Sequence, residues 1–339
     1  MTSMNGRETV YFYLNAAMGD MLYLLAACRA VKKQLDVRII MIGQPAFHAL
    51  IHACPHVAEV WLADALSAEQ IQQLNDARSR GRFVNFTHWH HALTPGHMID
   101  SFLGQIAITA AGKDKQLDLR IPAAAREAAA KFYEQYQLDG RHVILMHPNI
   151  GHPNRTWPEE NWHQLAMLWI ETGWAVIYIG SNHNSEAGKS MPAACPDGVI
   201  NATDRFTALE TIALMEKAHM LVSCDSGPVM LAAATNIPVT GLYSTVASAQ
   251  RMPFRDGILG SRFLGIDLAC EFGPCARHLQ NESLFVKKLQ RPFDVPTTQE
   301  FSQWCLNENS YRCLHTLKAS ELYHRMLQFC VEGDDNSRR

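Results

Sequence analysis

Short apolar runs separated by polar, glycine- or proline-marked turns recur along the chain, and stretches with helical spacing lie between them. The run Val10 to Leu14 leads through Asn15-Ala16-Ala17-Met18-Gly19-Asp20 into a helix rich in Leu and Ala that reaches about Lys33. Val37 to Ile42, Val57 to Leu62 and Phe83 to Phe86 read as further strands, and Pro45 to Ala53 as a helix. Short continuous apolar runs suit strands buried on both faces, and their alternation with helical sequence predicts an α/β fold whose parallel sheet is covered by helices. After an Ala-rich helix, Ala123 to Tyr136, the turn Asp139-Gly140 precedes a fresh strand, Val143 to Met146, and the alternation restarts. Two Rossmann-like parallel-sheet domains facing across a cleft are predicted, residues 1–140 and 141–318. The amphipathic helix over about 319–332 is expected to pack back on the first domain, and the polar tail 333–339 to fray.

In the second half the helix over about 159–172 and the strand Ala175 to Ile179 are followed by the run LVSCDSGPVMLAAATNIPVTGLYS, Leu221 to Ser244. It puts a strand end, the turn Asp225-Ser226-Gly227-Pro228, a helix from Val229 to Thr235 and a second strand in succession. Free N–H groups and a positive dipole end at such a helix start suit a diphosphate. In doubly wound sheets ligands bind outside the carboxyl ends of the strands, so facing domains bring their loops to one gap. That rule selects Asn15 to Asp20 and Thr87 to His97 from the first domain, with His147 to Trp157, Gly180 to Glu186 and Cys224 to Pro228 from the second.

Several residues of those loops carry chemistry. Arg155 precedes a Pro158-started helix, where a guanidinium can grip a phosphate bidentately. Gly180 ends its strand without a side chain and would let a ribose or base lie against the backbone, with Ser181 next to it. Glu186 is either an acceptor for ribose hydroxyls or a solvated helix-start residue. Asp20 is either a general base at the cleft or the N-cap of its helix. Its loop holds one glycine, Gly19, rather than a GxGxxG set, which argues against a dinucleotide site in the first domain. His88, His90 and His91 crowd one loop at irregular spacing, which favours acceptor or sugar contact over a metal. Trp157 and Trp162 read as packing residues. The pairs Cys270/Cys275 and Cys305/Cys313 are either a tetrahedral zinc or iron site or thiols that merely pack.

Composition narrows the function classes. At 339 residues, 47% hydrophobic and 19% charged, the chain is that of a globular protein, and a net charge of -3 with pI about 6.6 gives no basic field for duplex nucleic acid. No apolar run approaches the roughly 20 residues that cross a bilayer, the first residues lack a signal-peptide layout, and nine cysteines fit a reducing compartment. A cytoplasmic protein is expected, with at most peripheral contact at the inner face of the cytoplasmic membrane.

Four segments in order, AMGDMLYLLAACRAVKKQ, NRTWPEENWHQLAMLW with GWAVIYIGS, CDSGPVMLAAATNIPVTGLYS, and CEFGPC with CLNENSYRCL, together resemble the ADP-heptose:lipopolysaccharide heptosyltransferases, glycosyltransferase family nine, of GT-B architecture. The resemblance implies inverting transfer of a sugar from a nucleotide-diphosphate donor, ADP-heptose above all, to a hydroxyl of lipopolysaccharide core or a related glycan. By the same resemblance Asp20 is the base, Arg155 contacts the diphosphate, and Asp225, Ser226 and Gly227 hold the donor, with no divalent metal needed for catalysis. Met230 stands where the family turn commonly has a histidine, and Pro228 where it has an aliphatic residue. Two alternatives remain open: transfer from the same donor class to a protein, and a catalytically silent nucleotide-sugar-binding or assembly protein.

Overall fold

The computed structural model describes residues 8–86, 96–148, 151–181, 195–278 and 305–336. In the first half β1 (Thr9–Tyr13), β2 (Arg38–Gly43), β3 (Glu59–Leu62) and β4 (Phe83–Asn85) form one parallel sheet in the order β3-β2-β1-β4. Helices α1 (Met18–Leu35), α2 (His48–His52), α3 (Ala68–Ser79), α4 (Met98–Gly104) and α5 (Ala123–Gln135) accompany it. The second sheet has six parallel strands in the order β12-β9-β8-β5-β6-β7. They are β5 (Val143–His147), β6 (Ala175–Tyr178), β7 (Val199–Asn201), β8 (Met220–Cys224), β9 (Val239–Tyr243) and β12 (Phe263–Asp267), with α6 (Glu159–Glu171), α7 (Ala208–Lys217) and α8 (Gly227–Leu231) between them. A small antiparallel hairpin, β10 (Phe254–Arg255) and β11 (Ile258–Leu259), stands apart.

Both sheets change direction at one place. The first three strands step outward from β1, and β4 then pairs with the other side of β1. Likewise β6 and β7 lie on one side of β5, whereas β8 returns to pair with its other side. At such a reversal the loops leaving the two central strands diverge and leave a crevice at their carboxyl ends. Those loops carry Asn15 to Asp20 in the first sheet, and His147 onward and Asp225 onward in the second.

Burial follows the sequence pattern. Every residue of β5, β6, β8 and β9 is buried, as continuous apolar runs require. The helix expected over Val229 to Thr235 is shorter: α8 is one turn, tightened into a 3-10 turn over Ala232–Ala234. Thr235 ends it, its hydroxyl donating to Ala232 O and accepting from Ile237 N–H.

The last helices are α9 (Arg312–Thr316) and α10 (Ala319–Asn336). Contrary to the expected return to the first domain, α10 packs against α6 of the second: Leu322, Tyr323 and Met326 join Trp157, Trp162 and Trp169 in one core. Trp157 Nε1 donates to Leu317 O at 3.2 Å, and the Trp169 and Tyr323 rings lie 5.0 Å apart. A cluster of tryptophans offers α10 a larger apolar surface than a single stripe could find elsewhere. Among the described residues no helix is long and apolar enough to cross a membrane.

Candidate functional site

Where the two reversals face each other, charged side chains from both domains interlock. Asp20 is the third residue of α1, whose N-cap is Ala17, so it does not cap the helix with its side chain. Its Oδ1 lies 3.7 Å from Nη1 of Arg251, which comes from the loop after β9, and the two side chains are 15% and 10% exposed. The Tyr23 hydroxyl donates to Arg251 O at 2.7 Å, and the guanidinium sits 5.5 Å over the Tyr23 ring. Burial works against the charge of Arg251, but the carboxylates of Asp225 and then Asp20 outweigh it and hold the guanidinium protonated. Burial raises the Tyr23 hydroxyl far above its usual range.

Asp225 is buried at the end of β8, and Arg155 grips it from the loop after β5. Arg155 Nη1 donates to Asp225 O at 3.2 Å and lies 3.3 Å from its Oδ2. The order Asp20, Arg251, Asp225, Arg155 thus alternates in sign, two carboxylates and two guanidiniums, with Asp20 from the first domain and the other three from the second. Next to it the domains touch through backbone: a Cβ placed on Gly19 would lie 3.6 Å from the Cα of Gly227.

The turn itself differs from its expected form. The Ser226 hydroxyl does not cap α8 but lies 2.8 Å from Ser223 Oγ and 3.1 Å from His147 Nδ1. Burial lowers His147 to about 4, so the ring is neutral near pH 7. His147 also explains Gly180, whose φ is +128° and whose absent Cβ would stand 2.7 Å from the imidazole Cδ2. The bare backbone there makes room for a side chain of the protein. Ser181 follows, half-buried. One helical turn aligns few peptide dipoles, so anion binding at Gly227 draws on local N–H groups rather than a long helix dipole. Met230, at the place where the family turn commonly has a histidine, is buried in the apolar core.

His97 joins the domains and was underrated by its place in a histidine-rich stretch. Nδ1 accepts from Ile99 N–H, capping α4, which leaves Nε2 to donate to Met252 O at 2.8 Å. Burial lowers it to about 4. His88, His90 and Glu186 lie outside the described residues. His152, beside Arg155, is lowered to about 3 by burial and by that guanidinium.

Cys270, Cys275, Cys305 and Cys313 line one cavity of about 20 Å³. Burial, followed by the other three sulfurs, pushes the Cys275 thiol up to about 12; burial with Cys270 and Cys305 pushes Cys313 to about 11. Thiolates crowded this way repel one another until a cation joins them. As they stand, no three His, Cys, Asp or Glu groups among the described residues are arranged to hold a metal ion.

Arg251 is the site residue that sequence reasoning missed. It sits in no motif, and its partner Tyr23 is 228 positions away. The β10–β11 hairpin was also missed, although Asp256-Gly257 between apolar residues is a strong hairpin signal, and both take the positive φ that such a turn needs.

Facing doubly wound sheets with a charged crevice at both reversals define the GT-B class. Residues 42–258 match the family model for glycosyltransferase family 9 (heptosyltransferase), and the chain belongs to that family. It is similar to lipooligosaccharide heptosyltransferase 2 of Haemophilus influenzae, 29% identical over 141 residues, 40% of this chain and 41% of that protein. The match thus spans well under half the length of this curated relative. Among solved structures, the glycosyl transferase family 9 protein from Veillonella parvula superposes with a TM-score of 0.63 at 16% identity, covering 96% of this chain and 98% of that one. The iron-containing dodecameric glycosyltransferase TibC from enterotoxigenic E. coli does so with a TM-score of 0.64 at 12% identity, covering 97% and 77%. At these identities both likenesses concern the fold.

Proposed function

We propose that the protein transfers a sugar, most specifically heptose from ADP-heptose, to a hydroxyl of lipopolysaccharide core or a related glycan, with inversion. The observation that carries this reading is the meeting of Asp20 with the Asp225 to Gly227 turn through Arg251. In this reading the nucleotide diphosphate lies along the turn. The Gly227 N–H and the guanidiniums of Arg155 and Arg251 take up the charge that builds on the leaving oxygens. Asp20 removes the acceptor proton as the hydroxyl oxygen attacks the anomeric carbon, and the bond from that carbon to the diphosphate breaks in the same displacement. An incoming diphosphate competes with Asp20 and Asp225 for the two arginines, so donor binding frees the base from its ion pair. Ser181 and Glu186 are assigned to the donor side, and His88 and His90 with Gly19 to the acceptor side. Met230, set in the core, acts on the donor only by supporting α8.

The four thiols are assigned to a structural zinc or iron ion: they are soft donors lining one small cavity, they would have to draw closer to hold it, and the charge of the cation would offset their mutual repulsion. The ion would tie the loop after β12 to the segment ahead of α9 and to its first turn. Metal analysis of the purified chain should find one zinc or iron per protein, lost in Cys275→Ser; a metal-free parent refutes this part.

A thermal-shift series with ADP-, GDP-, UDP- and CDP-sugars tests the donor, because a ligand of the folded state raises the midpoint. ADP-heptose should give the largest shift, reduced in Arg155→Ala. Donor binding without transfer to any glycan acceptor would favour the silent reading.

A further inference from the structure

The same domain interface holds a second cavity, of about 420 Å³, that the proposed transfer does not use. Pro55 and Arg120 line it from the first domain, and Thr235, Asn236, Arg255 and Asp256 from the second. Pro55 lies ahead of β3 and Asn236 ahead of β9, so the cavity opens at the amino edges of the strands, opposite the loops of Asp20 and Asp225. Its volume falls in the range of small-molecule sites.

Its charges are not balanced from within. Arg255 is only 2% exposed, and its guanidinium is held by main-chain carbonyls alone: Nη2 donates to Ala232 O at 2.7 Å, Nη1 to Ser261 O at 3.2 Å and Arg262 O at 3.4 Å. Its Nε is buried without a hydrogen-bond partner. Burial, then the field of Arg262, lowers it to about 10, and Asp256 counteracts this only in part. A buried cation without a carboxylate is costly unless something else answers it. Arg120 is exposed at the rim. The other rim carboxylates are already engaged: Asp118 by Arg29 and His56, Glu216 by Arg126.

We propose that this cavity binds a small phosphate-bearing molecule, its phosphate held between Arg120 of one domain and Arg255 of the other. A guanidinium lining the cavity from each domain suits a phosphate, which several N–H groups can grip at once, and the Asn236 amide adds a neutral donor. The organic part of the ligand has Pro55 and Leu117 to lie against. Such an occupant ties the domains together at the far end of the short helical segment that begins at the donor turn, roughly 13 Å away.

Inorganic phosphate is the probe, titrated against the full chain by thermal shift, with Arg120→Gln and Arg155→Ala alongside. Arg120 is exposed, so its replacement leaves folding intact, which Arg255 replacements do not ensure. Phosphate should raise the midpoint of the parent and of Arg155→Ala, and Arg120→Gln should weaken apparent binding at least about tenfold. Absence of a shift in the parent, a shift lost with Arg155→Ala, or one unchanged in Arg120→Gln each overturns the proposal.

Discussion

The front and rear of the domain interface handle buried charge in opposite ways. At the front, Arg251 and Arg155 meet Asp20 and Asp225, and each guanidinium has a carboxylate within 4 Å. At the rear, Arg255 is as deeply buried but rests on carbonyl oxygens alone. A closed set of ion pairs is stable unliganded and must be opened by a competing anion; an unbalanced cation invites one. The front therefore behaves as a latch that the donor releases, and the rear as an open socket.

The largest effect should come from the latch itself. Asp20→Asn removes the base and is expected to lower kcat by about 10² to 10⁴, measured by steady-state transfer, while donor affinity rises because the diphosphate no longer competes with that carboxylate for Arg251. Wild-type rates in that variant would dismiss Asp20 as base. Arg251→Met strands Asp20 and takes a cation from beside Asp225, which keeps Arg155, and should cost about 3 to 5 kcal/mol of stability in denaturant titration. At the rear Arg255→Met strands only carbonyls and an unpaired Nε goes with it, so the loss should be smaller, about 1 to 3 kcal/mol. If the two arginine variants lost the same stability, the contrast between front and rear would collapse. Acid should act on the front as well. His97 and His147 have folded values lowered to about 4 from 6.5, so the unfolded chain takes up protons first. The stability they contribute is present above about pH 6.5 and drains away as pH falls toward 4, by roughly 3 kcal/mol each at most. His97→Gln, which retains a donor and an acceptor, should flatten the dependence of the unfolding midpoint on pH between 6.5 and 4.

The contrast also explains what could be read from the chain. Val143 to Met146 and Leu221 to Val222 were legible because strands covered on both faces are uninterrupted apolar runs, and the turn at Asp225 because polar punctuation ends one abruptly. Phe263–Asp267 was not: its glycine and charged end weaken the run, and it becomes a strand by pairing in register with Val239–Tyr243. Arg155 and Asp20 stood next to strand ends, where topology gives a residue a place. Arg251 and Arg255 stand on a connection after β9, where no strand end marks them; Arg251 gains Asp20 and Tyr23 only when the first domain approaches, and Arg255 rests on carbonyls of its own domain. The landing place of α10 was hidden for the same reason, since an apolar stripe does not name the surface that will cover it.

Gly19 and Gly227 come within van der Waals reach across the interface, and each neighbours a residue assigned to the reaction. The spacing between the attacking and departing sides of the transfer is thus gauged at this point by main chain, with the Met18 side chain lying against Gly227 beside it. A larger residue at either position acts as a shim, and the length of the shim would be written directly into the geometry of the displacement.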